Sequence, residues 1–420
     1  MTETMSPSRN HNASALSLHV PEPAARPGDQ PIVAHIREVS TAPQPKPPID
    51  VAPDKITALA YGLIRVLDDE GKAGGEWNAH LSPDLLRRGL RAMMLTRAYD
   101  ERMVRVQRQG KSSFYMKSTG EEAVAVAAAF ALDRQDMCFP TYRQQGLLVA
   151  RDWPLRDMMN QVYSNTGDRL KGRQMPVFYS SREAGFFSIS GNLCTQYSQA
   201  VGWAMGSAAS HDTRLAAAWV GDGATAEGDF HYALTFASVY RAPVILNIVN
   251  NQWAISSFAG IAGGDATTFA ARGLAYGLPA LRVDGNDFLA VYAVTQWAAE
   301  RARANLGATV IELFTYRQDA HSTSDDPTRY RPKDEPQAWP LGDPIDRLKA
   351  HLIAIGEWDE ERHTALSAEL AEHVKAEGRA SEALGTLHDG ARLDPASMFD
   401  DVYKEMPPHL VRQRAEMSSY

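Results

Sequence analysis

Residues 215–253 read LAAAWVGDGATAEGDFHYALTFASVYRAPVILNIVNNQW, and this stretch decides the fold. Residues 215–220 and 244–249 are short apolar runs, and residues 229–240 between them have the length and composition of a helix. Buried strands that alternate with helices of ten or more residues are typical of a parallel sheet covered on both faces. The stretch therefore predicts a strand–helix–strand unit.

The same alternation continues downstream of this unit. Residues 281–283 and 309–316 are further predicted strands. Between them, DGND at residues 284–287 is a turn and N-cap signal that precedes a predicted helix over 288–304. The sequence therefore predicts an α/β fold with a doubly wound parallel sheet.

Two helices are expected before the central unit. Ser82 and Pro83 are typical of an N-cap and a first helical position, which predicts a long helix over residues 83–108. Apolar residues at helical spacing predict another helix over residues 54–68.

The two ends of the chain differ in composition from its centre. Residues 1–52 are rich in proline, which favours an extended arm, either a disordered tail or an arm that orders against a partner chain. Residues 341–420 are expected to form a helical region for subunit contacts, with helices that start near Asp343 and Asp359. The α/β domain would then span residues 53–340.

Composition excludes several classes of protein. The 420 residues carry 43 Lys and Arg against 51 Asp and Glu, and the net charge of −8 does not favour nucleic-acid binding or a polybasic membrane contact. The only cysteines, Cys138 and Cys194, lie far apart, which excludes a disulfide framework and fits a reducing compartment. No apolar run has the length of a membrane span. We therefore expect a bacterial cytoplasmic protein, with the mitochondrial matrix as the alternative.

The polar residues that follow the two central strands predict a metal site. Only 26 residues separate Gly223 from Asn250, which is room for one crossover helix, so Asp222 and Asn251 should lie at the same carboxyl edge of the sheet. A carboxylate, an amide oxygen and the backbone carbonyl of Trp253 are hard donors of the kind that Mg²⁺ prefers beside phosphate and water. Glycines on both sides of Asp222 let backbone approach a phosphate closely. The pattern predicts a clamp for Mg²⁺ and a diphosphate.

GDG followed one crossover later by NN is the thiamine-diphosphate motif, and six other segments agree with it. They are SFYMKSTGEEA (113–123), CFPTYRQQG (138–146), LKGRQMPV (170–177), FFSISGNLCTQ (186–196), YRQDAHSTSDDPTRYR (316–331) and DVYKEMP (401–407). From residue 18 onward the chain resembles the α subunits of the thiamine-diphosphate-dependent decarboxylase component of 2-oxoacid dehydrogenase complexes. It most resembles their bacterial branched-chain members.

The resemblance implies which residues hold the cofactor. Tyr142 and Arg143 match a pair that contacts the diphosphate, and an arginine fork suits phosphate oxygens. Gly223 and Ala224 match backbone contacts to the cofactor. The Mg²⁺ ligands of the family match Asp222, Asn251 and the carbonyl of Trp253.

A second group of implied positions precedes the central strands. Gly191 and Leu193 match residues that line the aminopyrimidine ring of the cofactor. A K⁺ site of some relatives corresponds to Ser190, Asn192, Thr195 and Gln196. Asn192 replaces a proline of those relatives, so this transfer is the weakest.

His321 is the implied catalytic residue. It follows the predicted strand 309–316, so it should lie at the ligand edge, and in the family it reaches the diphosphate and the reacting centre. Arg317 and Tyr330 would order its loop. Some relatives carry an arginine just before the NN pair, where this chain has Val249, which leaves more of the diphosphate charge to Arg143, His321 and Mg²⁺.

The family also implies that this chain is half of an active site. In the family, a β subunit of an α2β2 heterotetramer supplies the glutamate that activates the aminopyrimidine. In this chain, Glu121 and Glu122 are expected to serve as N-terminal charges of a helix. The implied reaction is oxidative decarboxylation of branched-chain 2-oxo acids, followed by acylation of the lipoyl group on a dihydrolipoyl acyltransferase core. His321 would donate or position a proton in that second step.

Three other functions stay open. Pyruvate or acetoin could replace the branched acids, although HSTSDDP and the long arm favour branched substrates. A Mg²⁺-dependent phosphohydrolase could use Asp222, but no DxD pair follows the strand. A non-catalytic scaffold subunit would predict a broken metal motif, yet Asp222 and Asn251 are intact.

We predict that Asp222→Ala abolishes Mg²⁺-dependent binding of thiamine diphosphate and leaves assembly largely intact, because truncation of one polar ligand at a loop leaves the buried core untouched. Cofactor binding to the purified αβ assembly measures this. Cofactor affinity equal to that of the wild type would count against the clamp.

Overall fold

The computed structural model describes residues 18–32, 42–391 and 394–417. The strands of this part of the chain are β1 Met137–Phe139, β2 Ala216–Gly221, β3 Val244–Asn250, β4 Trp253–Ala254, β5 Ser257–Phe258, β6 Ala280–Asp284 and β7 Thr309–Phe314. The α-helices are α1 Pro83–Arg108, α2 Glu122–Ala131, α3 Gln145–Ala150, α4 Leu155–Tyr163, α5 Thr195–Ala209, α6 Gly228–Val239, α7 Phe288–Arg303, α8 Glu335–Ala338, α9 Pro344–Ala354, α10 Glu360–Glu382 and α11 Pro408–Met417.

Five parallel strands form the central sheet in the order β1–β2–β3–β7–β6. The strands predicted from residues 215–220, 244–249, 281–283 and 309–316 are all present, so the predicted α/β fold with a parallel sheet is confirmed. Strands β4 and β5 form a separate antiparallel pair just after β3.

Side chains of the central strands alternate between two hydrophobic cores. On β3, Val244, Leu246 and Ile248 belong to the core that contains residues of α5 and α6. Ile245 and Val249 face the opposite core, which contains residues of α1, α2 and α7. Because successive strand residues point to opposite faces, an almost continuous apolar run is required when helices cover both faces. This arrangement is the predicted doubly wound sheet.

The register of the strands brings three connecting loops to one edge of the sheet. Gly221 at the end of β2 pairs with Val249, and Asn250 at the end of β3 pairs with Phe314 at the end of β7. The loops that begin at Asp222, Asn251 and Thr315 therefore leave the sheet together. In open α/β sheets this edge is where ligands bind.

The predicted helix starts are confirmed by their caps. Ser82 accepts a hydrogen bond from the N–H of Leu85 at the start of α1. Asp343 and Asp359 cap α9 and α10 in the same way. These side chains satisfy N–H groups that the first turn of a helix leaves unpaired.

The helix predicted over residues 54–68 is wrong. Two short 3₁₀ turns, Pro53–Lys55 and Thr57–Ala60, are followed by extended backbone. Ile64 pairs in parallel with Val283 and exchanges backbone hydrogen bonds with both neighbours of that residue. The open edge of β6 offers these partners, and the apolar side chains are buried against the sheet instead of along a helix stripe.

Residues 18–32 and 42–52 contain neither helix nor strand, as expected for the proline-rich arm, and residues 1–17 and 33–41 of the arm lie outside the described residues. Part of the arm packs on this chain's own helix α7. The indole N–H of Trp297 donates to the carbonyl of Pro47 (2.9 Å), and the guanidinium of Arg301 donates to the carbonyl of Val51 (3.1 Å). Among the described residues, no helix is long and apolar enough to cross a bilayer.

Asp287 joins two parts of the fold, so we predict that Asp287→Ala is strongly destabilising. One carboxylate oxygen caps α7 by accepting the N–H groups of Leu289 and Ala290, and the other accepts those of Val66 and Leu67 (2.8 and 2.6 Å). The substitution leaves these four backbone N–H groups buried without an acceptor, which should lower the free energy of unfolding by about 3–5 kcal/mol. Thermal or denaturant unfolding measures this change.

Asp359→Ala is the matched control for Asp287→Ala. Asp359 caps α10 through one hydrogen bond to the N–H of Arg362, so its loss should cost about 1 kcal/mol. Equal costs for the two substitutions would contradict the joining role of Asp287.

Candidate active site

The carboxylate of Asp222, directly after β2, is buried with one oxygen unpaired. The backbone N–H of Asp222 donates to the carbonyl of Val249 on β3 (3.1 Å), which ties the two strand ends together. Oδ1 accepts the N–H of Gly223 (2.7 Å), while Oδ2 finds no hydrogen-bond donor among the residues that the structure describes. Because buried polar atoms are almost always paired, this oxygen marks a position for a ligand.

The electrostatic environment of Asp222 favours a cationic ligand. Burial raises the pKa of its carboxyl group to about 7 and the nearby carboxylate of Glu121 also raises it, while the backbone N–H groups of Gly223 and Gln252 and the charge of Arg317 lower it. A divalent cation would stabilise the charged form, because it supplies the countercharge that water supplies outside the protein.

Asn251 and Trp253 offer the other two oxygens of the predicted metal site. The Oδ1 atom of Asn251 accepts the N–H of Trp253 (3.2 Å), and its Nδ2 atom donates to Oε1 of Glu121 (2.8 Å). The carbonyl of Trp253 accepts a hydrogen bond from Arg317 (2.9 Å), which leaves it one lone pair. These residues fit Mg²⁺, which takes few protein oxygens and completes its octahedron with phosphate and water.

No group of three or more His, Cys, Asp and Glu side chains with metal-site geometry occurs in residues 18–32, 42–391 and 394–417. A metal at Asp222 would therefore rest on one carboxylate together with amide and carbonyl oxygens. Such a set is too hard and too weakly charged for zinc-type binding.

Gly223 has a packing role that the motif alone does not reveal. A Cβ at this position would lie 2.5 Å from the Cβ of Ala254, whereas a Cβ at Gly221 would meet open space. Ala224 is buried in the core beside α5 and α6. The loop after β3 can therefore cover the loop after β2 only if residue 223 is glycine.

The predicted diphosphate and catalytic residues form a second cluster. The guanidinium of Arg143 is buried and donates to the carbonyls of Lys117 (2.6 Å) and His321 (2.6 Å) and to Nδ1 of His321 (3.0 Å). The ring of Tyr142 stands edge-on to the ring of His321, with 5.8 Å between centroids. The structure thus brings Tyr142, Arg143 and His321 together.

His321 is held in the neutral state by its surroundings. Burial lowers the pKa of its imidazole to about 3, and the neighbouring charges of Arg143 and Arg317 lower it further, against the opposite effect of Asp325. Arg143 can only donate, so Nδ1 of His321 must accept, and the ring proton must sit on Nε2. His321 therefore presents an N–H donor at Nε2.

Arg317 holds the His321 loop against the loop after β3. Its guanidinium donates to the carbonyls of Trp253 (2.9 Å) and Ile255 (2.8 Å) and to the hydroxyl of Tyr330 (2.7 Å). That hydroxyl donates to Asp325 (2.6 Å), which also accepts the backbone N–H of His321 (2.7 Å).

The positive charges of the second cluster are only partly balanced. Burial lowers the pKa of Arg317 to about 10, and Arg143 lowers it further because the two cations repel each other. The oxygens of a bound diphosphate would relieve this repulsion. Val249, which stands where some relatives have arginine, is buried in the core and leaves no cation at that point.

Of the two residues predicted to line the aminopyrimidine, Gly191 lies beside the second cluster. A Cβ at Gly191 would lie 3.4 Å from the ring of Phe178, and that ring stacks on Tyr142 with 6.3 Å between centroids. The side chain of Leu193 is half exposed, at 50%. Gly191 therefore lies beside the ring that stacks on Tyr142, and the role of Leu193 stays a prediction.

The four residues of the predicted K⁺ site do not all point to one place. The hydroxyl of Ser190 accepts the N–H of Asn192 (3.1 Å), and the hydroxyl of Thr195 donates to the carbonyl of Asn192 (3.1 Å). Gln196 instead donates to the carbonyl of Trp219 on β2 (2.8 Å). The K⁺ site stays a prediction.

The interpretation of Glu121 as a simple helix charge misses its main contact. Its side chain makes no capping hydrogen bond at the start of α2 and instead accepts the amide of Asn251, while Oε1 lies 3.8 Å from Nε of Arg143. Glu122 pairs with Arg97. The repeat of two glutamates after Gly120 was the only sequence signal for this residue.

We predict that Asp222→Asn stabilises the metal-free protein more at pH 8 than at pH 5. Burial raises the pKa of this carboxyl group from 3.8 to about 7. Above pH 7 Asp222 is ionised in both the folded and the unfolded protein, and its buried charge lowers the free energy of unfolding. This loss of stability becomes smaller as the pH falls from 7 toward 4. Asparagine removes the charge and can still accept the N–H of Gly223. The melting temperature should rise by roughly 5 °C at pH 8 and by less at pH 5.

Asp54→Asn is the control for this pH series, since the side chain of Asp54 is 70% exposed. It should change the melting temperature equally little at both pH values. If Asp222→Asn behaves like this control, the carboxylate is not destabilised by burial.

Comparisons with known proteins agree with this geometry. The model of the family "dehydrogenase E1 component" matches residues 90–388, and that of the N-terminal part of the 2-oxoisovalerate dehydrogenase E1 alpha subunit matches residues 14–54. The chain is 60% identical to the 2-oxoisovalerate dehydrogenase subunit alpha of Pseudomonas aeruginosa over 96% of this chain and 98% of the relative.

Two mitochondrial 2-oxoisovalerate dehydrogenase alpha subunits are also similar. The mouse protein is 38% identical over 88% of this chain and 82% of its own length, and the Caenorhabditis elegans protein is 43% identical over 75% and 72%. The resemblance that the motifs indicated is confirmed. The chain belongs to the dehydrogenase E1 component family, within its group of 2-oxoisovalerate dehydrogenase alpha subunits.

Proposed function

We propose that this chain is the α half of a thiamine-diphosphate-dependent enzyme that decarboxylates branched-chain 2-oxo acids and passes the acyl group to a lipoyl carrier. The observation that carries the proposal is the pairing of two oppositely charged clusters at one sheet edge. Asp222, with its unpaired buried oxygen, suits a metal, and the buried cations Arg143 and Arg317 suit a diphosphate.

Each cluster would hold one part of a metal–diphosphate pair. Asp222, Asn251 and the carbonyl of Trp253 would hold Mg²⁺, and Arg143 with Tyr142 would meet the diphosphate. To do so, Arg143 would exchange some of its hydrogen bonds to the His321 loop for phosphate oxygens, because both of its terminal nitrogens already donate within the protein. Cofactor binding and the position of the His321 loop are therefore linked.

Thiamine diphosphate, when bound, supplies an electron sink for the loss of CO₂ from a 2-oxo acid. The protein contributes orientation and proton control. A neutral His321 with its proton on Nε2 can donate a hydrogen bond near the reacting centre without adding a charge, whereas proton transfer from this ring would first require the imidazolium form, which burial and the two arginines disfavour. Arg317 and Tyr330 keep the loop of His321 in place for this task.

A partner β subunit would complete the site. Glu121 is engaged by Asn251 and Glu122 by Arg97, so neither is placed to activate an aminopyrimidine ring. Helix α6 exposes Tyr232, Phe236 and Val239 by 66%, 51% and 70%, and an apolar stripe of this kind is typical of a protein interface. These features support an α2β2 heterotetramer that acts on a lipoylated acyltransferase core.

The substrate follows from the relatives. Three of them are named for 2-oxoisovalerate, and the Pseudomonas relative covers almost the whole chain, including the arm. Pyruvate and acetoin remain competing substrates within the same chemistry. The bacterial origin of the Pseudomonas protein supports the expected cytoplasmic location.

We predict that this chain, purified together with its β partner, decarboxylates 3-methyl-2-oxobutanoate faster than pyruvate. The assay supplies thiamine diphosphate, Mg²⁺ and an artificial electron acceptor, and Asp222→Ala in the same assembly is the inactive control. A preference for pyruvate would support the proposed mechanism and contradict the assignment of a branched-chain substrate. An intact assembly that is inactive on both acids would favour a scaffold subunit.

A further inference from the structure

We infer that Glu121 is a positioning residue that orients the amide of Asn251 through a hydrogen bond, so that its oxygen is available to a metal. The inference rests on the proposed function, because it assigns Asn251 to the metal. It concerns the residue just before α2, which would act on the metal only through Asn251.

The backbone holds Glu121 under the sheet edge. Its N–H donates to the carbonyl of Ser118 (2.8 Å), and its own carbonyl accepts the N–H of Val124 (3.1 Å). Gly120 has φ +93°, and a Cβ there would collide with the carbonyl oxygen of Tyr316. Only glycine lets the chain pass this close to the end of β7 and direct residue 121 into the site.

The side chain of Glu121 then reaches across the site to the loop after β3. The residue is 1% exposed, and Oε1 lies 2.8 Å from Nδ2 of Asn251. The two residues are 130 positions apart in the chain, so no local turn explains the contact. The role of helix-end charge falls to Glu122, which accepts the N–H of Gly120.

This contact selects one of the two orientations of the Asn251 amide. A carboxylate can only accept hydrogen bonds, so it attracts the NH₂ group of Asn251 and repels the amide oxygen. The oxygen must then lie on the opposite side, where it accepts the N–H of Trp253 and keeps a lone pair. Without Glu121, only the N–H of Trp253 (3.2 Å) would favour this orientation, and a rotated amide would turn its NH₂ group toward a cation.

Two substitutions separate the reach of Glu121 from its charge. Glu121→Gln keeps an acceptor oxygen at the same distance but removes the charge and adds an NH₂ donor, so the side chain is no longer only an acceptor. Glu121→Asp keeps the charge but shortens the side chain by one methylene, so the carboxylate no longer reaches Asn251. Both variants preserve most of the buried volume, which favours normal folding.

The test is a Mn²⁺ titration of the assembled αβ protein with thiamine diphosphate, followed by the electron paramagnetic resonance signal of free Mn²⁺. Glu121→Asp should weaken Mn²⁺ binding by about 10- to 100-fold, the range found for partners that orient metal ligands. Glu121→Gln should weaken Mn²⁺ binding by a smaller factor than Glu121→Asp, because its oxygen can still accept the Asn251 amide while its NH₂ group no longer excludes the flipped orientation. Glu382→Asp, at a glutamate that pairs with Arg102 outside the site, is the control and should leave Mn²⁺ binding unchanged.

Each outcome decides the inference. Wild-type Mn²⁺ affinity in Glu121→Asp, or a larger loss in Glu121→Gln than in Glu121→Asp, would overturn the hydrogen-bond role. Melting temperatures of the metal-free variants identify a purely structural role, which would lower stability and leave Mn²⁺ affinity unchanged. A wild-type assembly that binds no Mn²⁺ would overturn the proposed function itself, together with the inference.

Discussion

The parallel pairing of β2, β3 and β7 is the constraint on which the site depends. Parallel strands all end at the same edge, and their register places the residues after Gly221, Asn250 and Phe314 side by side. The loop that begins at Thr315, more than 60 residues after Asn251, thereby meets the other two loops through the pairing of the strands alone. Helices on both faces then bury this edge, and the low effective dielectric strengthens the interactions of each charged side chain there.

Burial gives the site two regions of opposite charge. On one side Asp222 has an unpaired oxygen, and on the other Arg143 and Arg317 repel each other. The unpaired carboxylate oxygen and the two neighbouring guanidinium groups are both unfavourable without a ligand, because burial excludes the water that would compensate their charges. A cation bound to a diphosphate would satisfy both at once. Glu121 stands between the regions, 2.8 Å from Asn251 and 3.8 Å from Arg143, and so couples them.

Much of this structure can be predicted from the sequence because its signals are local. Ser82 with Pro83, and Asp287 after a buried strand, mark helix starts through hydrogen bonds within a few residues. The spacing from GDG to NN suffices to place Asp222 and Asn251 at one edge. The roles of Tyr142, Arg143 and His321 came from a family resemblance, since nothing local in the sequence distinguishes these residues.

The misses have a common physical cause, which is dependence on distant partners. The apolar spacing of residues 54–68 resembles a helix, but the open edge of β6 captures Ile64. Strand β1, with three residues, is too short to show a pattern, and its pairing with β2 defines it. The local sequence of Glu121 is that of a charge at a helix end, and its hydrogen bond to Asn251 appears only in the folded structure. The carbonyl of Trp253, a predicted metal ligand, also accepts a hydrogen bond from Arg317, and no motif indicates this contact.

The most direct measurement is anomalous diffraction from crystals of the αβ assembly grown with thiamine diphosphate and Mn²⁺ in place of Mg²⁺. An anomalous peak about 2.2 Å from Oδ2 of Asp222 and from Oδ1 of Asn251 is the expected result. A peak at another place, or thiamine diphosphate bound at this edge with no metal beside Asp222, would contradict the view that the unpaired buried carboxylate exists to hold a cation.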